Sequence, residues 1–480
     1  MTAILPNIDH VVVVMFENRS LDTMLGNLYN GDARPALVLP AGSAPDYDGL
    51  SAGLSNPGLA AYFSGDPCEM VPVTSSAGST IPNPDPLETW SNVTYQLYGP
   101  QGEATNPKWP MQGFVVNYAA TSTTDAAQVM QCRSPADLPV LCTLARSYAV
   151  SDAWYASVPS QTWPNRAFAH AGTSNGRVDN GNPADPLDWD VPTIFNVLES
   201  IGAAWCVYSD TVVTPSLTRT MFPKLWDPFL DAHFRGIDAF ISDCAHAALP
   251  RYAFIEPSFL VDPNDQHPPH DINAGEAFLH AVWTAVRTSP AWNRTLLLIT
   301  FDEHGGCYDH RLPPTGAAAP DRASSPGDQG FAFARFGVRV PAVLVSPYIA
   351  PGTVFRSNTN TPYDHTSILA TLRDWLGIGA AQMLPSARIA AAPTLDQVLT
   401  LTTPRSDAPQ IFAPASSFVS TPLSIPPNDL QKSLVSGTAR RVGLDPAATL
   451  RTIATRQHAV DFFGRISVSS ARPKSAGDTG

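Results

Sequence analysis

The chain of 480 residues has few charged residues, and most of these are acidic. Charged residues make up 15% of it, and 29 basic residues stand against 42 acidic ones, giving a net charge of −13. A nucleic-acid-binding protein needs a basic surface to contact phosphates, and electrostatic adsorption to an anionic membrane needs one too. We therefore predict no nucleic-acid partner and no simple electrostatic attachment to a membrane.

Long apolar runs and paired cysteine motifs are also missing. No run reaches the roughly 18 apolar residues of a membrane-spanning helix, and the N-terminal residues lack the basic and apolar regions of a signal peptide. As written, the chain is predicted to be cytoplasmic, or secreted or periplasmic if an export signal has been removed. The six cysteines share no CxxC spacing, which disfavours a cysteine–zinc site but leaves two or three disulfides open.

The chain is rich in the features of a folded enzyme with ordered loops: 44% hydrophobic residues, 47 prolines and 31 glycines. Apolar runs at 8–16 and 295–301 predict buried strands, and a third at 338–346 holds a proline that disfavours a strand or delays its start. Helical patterns at 274–288 and 366–376 alternate with them. This alternation predicts the α/β class, with a largely parallel central sheet covered by helices on both faces.

Composition also predicts how the chain is divided. Residues 1–400 are predicted to form the α/β domain, including a loop-rich excursion at 31–130. Residues 401–480 are predicted to hold a proline-rich linker, a short helix near 429–441 and a polar tail from about residue 467.

Two of the predicted strands end in acidic residues. Glu17 and Asn18 follow the first strand, and Asp302 and Glu303 follow the strand at 295–301. In open α/β sheets, ligands bind outside the carboxyl ends of the strands. Burying carboxylates costs several kcal/mol unless a cation compensates. The pattern predicts a metal site with oxygen ligands; the alternative is that each acid only caps a turn.

A turn bracketed by prolines at 158–168 carries two hydroxyl groups, those of Ser160 and Thr162. A helix is predicted from about Ala167. A hydroxyl group at a helix N-terminus beside a metal can be deprotonated at neutral pH and attack phosphorus. The alternative is a plain N-cap.

Histidines are concentrated at 267–310, which holds five of the eleven. His267 and His270 flank two prolines and are predicted on a rigid loop; His304 and His365 lie further along. Imidazoles beside a metal can donate to phosphoryl oxygens, ligate the ion or protonate a leaving oxygen. The spacing leaves these roles open.

The motifs FENRS, QTWPNR, HPPH and DEHGG together resemble the phosphoesterase family of bacterial phospholipases C and acid phosphatases, and closely the plant non-specific phospholipases C. The matching segments occur in family order at 8–26, 151–174, 264–278, 289–314, 336–354 and 363–377. The resemblance implies an alkaline-phosphatase-like α/β fold and a metal-dependent phosphoester hydrolase.

The resemblance also implies roles for individual residues. The metal and nucleophile centre would be built from Glu17, Asn18, Thr162, Asp302 and Glu303. Catalysis would use Thr162 with His267 and His304. The resemblance places His267 and His304 at the phosphate, and we add Glu88, Asn165, His270 and His365 to the predicted substrate contacts. One departure stands out, because relatives often carry a histidine in a segment like 85–89, where this chain has Leu87 and Glu88. If that histidine contacts phosphate or protonates the leaving group, Glu88 would change the substrate preference or the pH optimum.

The predicted reaction is phospholipase C-type cleavage of a phospholipid diester through a covalent phospho-threonine. An acid phosphatase acting on monoesters is the first alternative, and a non-catalytic metal- or phosphate-binding protein is the second. The predicted cofactor is one divalent metal ion, with calcium, magnesium, manganese and zinc all open. The predicted partner is a phospholipid or small phosphoester, with transient contact to a membrane surface.

That membrane contact would use an apolar rim from the 31–130 excursion. Its aromatic candidates are Tyr62, Phe63, Trp90, Tyr95 and Trp109. The alternative is that these side chains only pack the loops. Oligomeric state is left open by the sequence.

Overall fold

A nine-stranded sheet lies at the centre of the computed structural model, within the residues that the structure describes. These residues are 4–31, 33–64, 69–75, 78–102, 110–182, 185–186, 189–211, 213–412, 414 and 418–470. The strands are β1 (His10–Phe16), β2 (Leu37–Leu39), β3 (Ala149–Ser151), β4 (Trp205–Ser209), β5 (Phe234–Gly236), β6 (Tyr252–Glu256), β7 (Thr295–Phe301), β8 (Ala342–Val345) and β9 (Thr353–Phe355). Their order across the sheet is β5-β4-β6-β1-β7-β8-β3-β9-β2.

Helices of the described ranges surround this sheet and connect its strands. They are α1 (Leu21–Leu25), α2 (Leu59–Ser64), α3 (Trp90–Tyr98), α4 (Phe114–Tyr118), α5 (Pro139–Ser147), α6 (Thr162–Ala171), α7 (Ile194–Ser200), α8 (Leu217–Met221), α9 (Ile237–Ala245), α10 (Ile272–Thr288), α11 (Thr366–Leu376), α12 (Ala387–Ala391), α13 (Asp429–Arg441), α14 (Pro446–Arg451) and α15 (Arg456–Ser470).

The sheet confirms the predicted α/β class. Every residue of β7 is buried, as expected for a strand covered on both faces. Neighbouring strands pair in parallel except at β8, which is antiparallel to both β7 and β3. Strand β8 begins directly after Pro341, because proline cannot donate a ladder hydrogen bond. The predicted helices are present, and α10 begins two residues early, where Asp271 caps its N-terminus.

The C-terminal segment packs onto the same core as the sheet. Helix α13 has the bounds that the sequence predicts, and its Leu434 and Val435 are buried in the main apolar cluster. Two further helices, α14 and α15, follow, and α15 continues to Ser470, past the predicted start of the polar tail near residue 467. Most of that predicted tail, 471–480, lies outside the described residues. A Cβ added at Gly437 of α13 would lie 3.2 Å from the Trp163 ring, so this helix lies against the start of α6.

Two further expectations concern membranes and cysteines. In the part of the chain that the structure describes, no helix is both long and apolar enough to cross a bilayer. The five described cysteines are buried free thiols, namely Cys132, Cys142, Cys206, Cys244 and Cys307. Cys68 lies outside the described residues.

The aromatic residues of the 31–130 excursion pack against each other and the body of the domain. The Tyr62 and Tyr95 rings are 5.9 Å apart, and the Trp90 ring lies 5.8 Å from that of Phe331. Trp109 lies outside the described residues, as does the side chain of Phe63. These contacts favour the loop-packing alternative for this part of the predicted rim.

Candidate active site

The acidic residues predicted at the two strand ends lie side by side. Strands β1 and β7 are parallel neighbours with Phe16 opposite Phe301, so Glu17 and Asp302 leave the sheet at the same edge. The Asn18 backbone N–H donates to Asp302 Oδ1 at 3.0 Å. All three polar residues are buried. The strand register therefore delivers a compact acidic centre at the carboxyl edge of the sheet.

Thr162 is the first residue of α6. The sequence predicted a helix start near Ala167, which is wrong by five residues. The reason is that Pro164 falls in the first turn, where a missing N–H costs no helix hydrogen bond. Gln161 occupies the N-cap position without a side-chain cap, so Thr162 does not serve as the N-cap. Its hydroxyl group lies instead at the positive end of the helix dipole.

The hydroxyl group of Thr162 reaches the acidic centre. Thr162 Oγ1 lies 3.1 Å from Glu17 Oε2 and 3.3 Å from Asn18 Oδ1. The other Glu17 oxygen accepts from Arg166 Nε at 2.9 Å, in a fully buried ion pair. Burial raises the pKa of Glu17 well above its ordinary value; Arg166 opposes this rise and the charge of Asp302 adds to it. Arg166 was not predicted, although its place one turn after Thr162 is a readable signal.

Asn165 holds the turn that presents Thr162. Its Nδ2 donates to the carbonyl oxygens of Val158 and Ser160 at 3.1 and 2.9 Å, and its Oδ1 accepts from the Val158 N–H at 2.9 Å. These backbone groups occupy the side-chain amide of Asn165. In the structure Asn165 therefore positions the turn, whereas the sequence predicted that it contacts the substrate.

The acidic centre carries more negative charge than the protein neutralises. Three buried carboxylate oxygens there have no hydrogen-bond partner: Asp302 Oδ2, Glu303 Oε1 and Asp265 Oδ2. Burial raises the pKa of Glu303 well above its ordinary value, and the charge of Asp302 adds to the rise. Unpartnered buried carboxylates are costly unless a cation compensates them. The donor set of carboxylate, amide and hydroxyl oxygens fits a hard divalent ion.

His365 lies behind Asp302. Its Nε2 donates to the Asp302 carbonyl oxygen at 2.6 Å, and its Nδ1 accepts from Trp154 Nε1 at 3.4 Å. Burial lowers its pKa, so the ring is neutral at pH 7. Both ring nitrogens are thus held by protein groups, an arrangement that fixes the Asp302 backbone.

His304 and Gly305 shape the turn after β7. His304 Nε2 donates to Gln96 Oε1 at 2.8 Å, its Nδ1 lies 3.2 Å from Glu303 Oε2, and burial lowers its pKa to about 3. Gly305 has a φ of +61°, and a Cβ there would come within 2.3 Å of the Asn18 carbonyl oxygen. Glycine therefore lets this turn approach the end of β1.

His267 and His270 each contact a protein oxygen through Nδ1. His267 Nδ1 donates to the Pro268 carbonyl oxygen, and His270 Nδ1 donates to Asp265 Oδ1, each at 2.6 Å. In the neutral ring of His267, Nε2 then keeps its lone pair. Burial lowers the pKa of His267 to about 4, so its ring is a neutral acceptor or ligand at pH 7. Asp265 was not predicted, although it lies two residues before His267.

A cavity of about 220 Å³ adjoins this centre. Its lining residues are Asp85, Pro86, Leu87, Glu88, Thr89, Gln161, Asn428 and Asp429. Glu88 is buried and accepts from Gln161 Nε2 at 3.4 Å, so the cavity reaches the residue before Thr162. Burial raises the pKa of Glu88 to about 8; the bond from Gln161 opposes this and the charge of Asp429 adds to it. The C-terminal contribution to the cavity was not predicted.

A second acidic cluster lies apart from Thr162. Ligand atoms of Asp22, Asp309 and His310 lie within 4.8 Å of one another, the one such group of three in the described ranges, and form a possible metal site. However, Arg339 is buried between them and donates to Asp22 Oδ1 and Asp309 Oδ1, both at 3.0 Å. The guanidinium already supplies a cation there, whereas Asp302 and Glu303 beside Thr162 form no ion pair with an arginine or lysine among the described residues, and Arg166 pairs with Glu17.

Comparison with known proteins gives the same assignment as the motifs. The profile of the Phosphoesterase family matches residues 8–379. Non-specific phospholipase C3 of Arabidopsis thaliana is 34% identical over 412 residues, covering 83% of this chain and 75% of that protein. Phospholipase C B of Mycobacterium tuberculosis is 27% identical over 414 residues, covering 78% and 74%.

Solved structures give weaker matches. A protein in the alkaline phosphatase superfamily from Vibrio parahaemolyticus aligns with a TM-score of 0.32 and 12% identity, over 55% of this chain and 65% of that chain. A phosphonate monoester hydrolase from Silicibacter pomeroyi aligns with a TM-score of 0.30 and 14% identity, over 57% and 73%. Because these TM-scores are low, the α/β class is assigned from the strand order of the central sheet and not from these structures.

The family match spans the strand ends and the helix N-terminus that form the acidic centre, while Asn428 and Asp429 of the cavity lie beyond it. The match begins at Ile8, just before β1, includes α6 and β7, and ends at residue 379, just after α11. The resemblance to the phosphoesterases is therefore confirmed. This chain belongs to the Phosphoesterase family.

Proposed function

We propose that this protein is a metal-dependent phosphoester hydrolase that cleaves phospholipid diesters in the manner of a phospholipase C. The observation that carries the proposal is the position of Thr162 Oγ1, 3.1 Å from Glu17 and 3.3 Å from Asn18 at a helix N-terminus. A nucleophile needs such a proton acceptor and positive potential. The names of the phospholipase C relatives support a phospholipid as the substrate.

The first step transfers the phosphoryl group to the protein. Arg166 holds one Glu17 oxygen and leaves the other facing the Thr162 hydroxyl group. As Oγ1 loses its proton in this direction, it forms a bond to phosphorus, and the bond from phosphorus to the diacylglycerol oxygen breaks. A divalent ion held by Glu17, Asn18, Thr162 and Asp302, with Glu303 beside them, would supply Lewis-acid stabilisation of the phosphoryl charge.

The second step regenerates the enzyme. Water attacks the phosphorus of phospho-threonine, the bond from Thr162 Oγ1 to phosphorus breaks, and Oγ1 regains a proton. The product is the phosphorylated head group. The N-terminus of α6 stabilises charge on the phosphoryl oxygens in both steps.

Glu88 is the proposed proton donor to the leaving oxygen. It lines the cavity beside Gln161, in the segment 85–89 for which the family resemblance implies a histidine in relatives. Because burial raises its pKa to about 8, Glu88 is protonated at neutral pH and loses its proton as the pH rises through that value. His304 is less suited, since both of its ring nitrogens contact protein groups.

Glu88→Gln is expected to lower kcat/KM by about 100-fold and to remove the alkaline limb near pH 8, because an amide cannot deliver a proton. The pH profile of kcat/KM measures both effects. Asp429→Asn is the matched control: its charge raises the pKa of Glu88, so this variant should keep the limb but move it to lower pH. A Glu88→Gln profile like that of the unchanged protein would contradict the role of Glu88.

A paired assay tests the proposed function. The purified protein, supplied with divalent ions, is given a short-chain phosphatidylcholine and an aryl phosphomonoester. We expect faster hydrolysis of the diester, with diacylglycerol and phosphocholine as products. Preference for the monoester would favour the acid phosphatase alternative. Hydrolysis of neither substrate would favour a non-catalytic metal- or phosphate-binding protein.

A further inference from the structure

The cavity beside Thr162 is too small for a whole phospholipid. Its volume of about 220 Å³ is below the roughly 300–1,000 Å³ of pockets that enclose drug-sized ligands, and a long-chain diacylglycerol is larger than these. If the substrate is a phospholipid, as proposed above, the head group and phosphate enter while the acyl chains stay outside. The surface around the mouth must then meet the lipid phase.

The segment 418–429 ends at this cavity. At its start, the Val419 N–H donates to Asp271 Oδ2 at 2.7 Å, and Asp271 directly follows His270 of the histidine loop. At its end, Asn428 and Asp429 line the cavity. The segment therefore runs along the site from the histidine loop to the cavity.

The backbone of this segment is fixed by the first residue of α15. Arg456 Nη1 donates to the Thr421 carbonyl oxygen at 2.7 Å, and the Arg456 N–H donates to the Ile425 carbonyl oxygen at 2.9 Å. The Arg456 side chain is itself buried. Because these bonds already order the backbone, little conformational entropy remains to be lost when the segment meets a surface.

Apolar side chains of the same segment are exposed. Phe418 is 42% exposed, Val419 61% and Ile425 40%. Such side chains at the edge of a site for a lipid are suited to the boundary between head groups and acyl chains. The net charge of −13 and the acidic Asp429 at the mouth disfavour an anionic surface. A zwitterionic phospholipid surface fits both features.

We propose that Phe418, Val419 and Ile425, here called the apolar rim, insert into the surface of a zwitterionic phospholipid bilayer and hold the cavity mouth against the head groups. This inference rests on the proposed function. It places the membrane contact on the C-terminal segment, whereas the sequence predicted it on the 31–130 excursion.

The test replaces the apolar rim in the full chain by combining Phe418→Ser, Val419→Ser and Ile425→Ser. Cosedimentation with phosphatidylcholine vesicles and hydrolysis of those vesicles are expected to fall about tenfold or more. Hydrolysis of monomeric short-chain phosphatidylcholine should stay unchanged. Phe229→Ser is the matched control, because Phe229 is 92% exposed and precedes edge strand β5; it should change neither activity.

Vesicle binding and hydrolysis at the unchanged level in the triple variant would overturn the proposal. If the unchanged protein binds vesicles but cleaves no phosphatidylcholine, the proposed function fails while the apolar rim still stands. If the triple variant loses hydrolysis of both vesicles and monomeric short-chain phosphatidylcholine, a Phe418→Trp variant is measured in its place. Its added fluorescence must shift to shorter wavelength on vesicles if the rim inserts, and an unshifted emission would overturn the proposal.

Discussion

Thr162→Ala is expected to lower kcat/KM for short-chain phosphatidylcholine by about 10⁴-fold or more, because it removes the proposed nucleophile. The hydroxyl oxygen of Thr162, at the N-terminus of α6, contacts both Glu17 and Asn18. Steady-state kinetics give the loss. Mass spectrometry of acid-quenched reactions should detect a phosphorylated Thr162 in the unchanged protein and none in the variant.

Thr162→Ser is the matched control, because it keeps the oxygen and should retain measurable turnover. Elemental analysis of both variants separates loss of the nucleophile from loss of the metal. Full turnover by Thr162→Ala would end the covalent mechanism, whatever its metal content.

Removal of divalent ions is expected to make stability strongly dependent on pH. Burial raises the pKa of Glu17 and of Glu303 well above their ordinary value of 4.5, with the charge of Asp302 adding to both. The folded, metal-free chain therefore binds more protons than the unfolded chain. Its free energy of unfolding is unaffected by these groups below about pH 4.5 and falls as the pH rises from there towards the folded pKa values.

A bound divalent ion should remove this loss, since it stabilises the charged carboxylates. At an ion concentration 1,000-fold above Kd, binding raises the free energy of unfolding by about 4 kcal/mol. Calorimetry over a pH series, with chelator or with calcium, magnesium, manganese or zinc, measures it. Asp302→Asn is the control, because it removes one proposed ligand and should reduce both the pH dependence and the gain. Equal melting temperatures with and without every ion would contradict the metal site.

Much of the fold could be predicted from the sequence because its central strands are apolar throughout. The runs that become β1 and β7 are followed directly by the acids that meet at the sheet edge. The hydrophobic pattern of each segment does not show that these two strands are neighbours, since they are almost three hundred residues apart. The ordered motifs of the family resemblance indicated it, and the register of Phe16 with Phe301 gives the physical cause.

The remaining features of the site depend on contacts that no local pattern encodes. The buried partners of His304 and His365, Gln96 and the Asp302 carbonyl oxygen, are distant in sequence. The predicted start of α6 is wrong because Pro164 was assigned to the turn before the helix, although the first turn of a helix tolerates proline. Asn428 reaches the cavity because the apolar face of α13 docks on the main core. The proline-rich linker before this helix gives no local sequence signal of that contact.

The parallel pairing of β1 with β7 also explains how one chemical centre can coexist with variable surroundings. Backbone hydrogen bonds keep adjacent strands about 4.8 Å apart, so the gap between the two acidic strand ends is set by the sheet itself. Loops that surround the carboxyl ends of those strands can lengthen, shorten or exchange composition without altering that gap. Evolution can thus remodel leaving-group preference in the peripheral loops while the reacting centre keeps its dimensions.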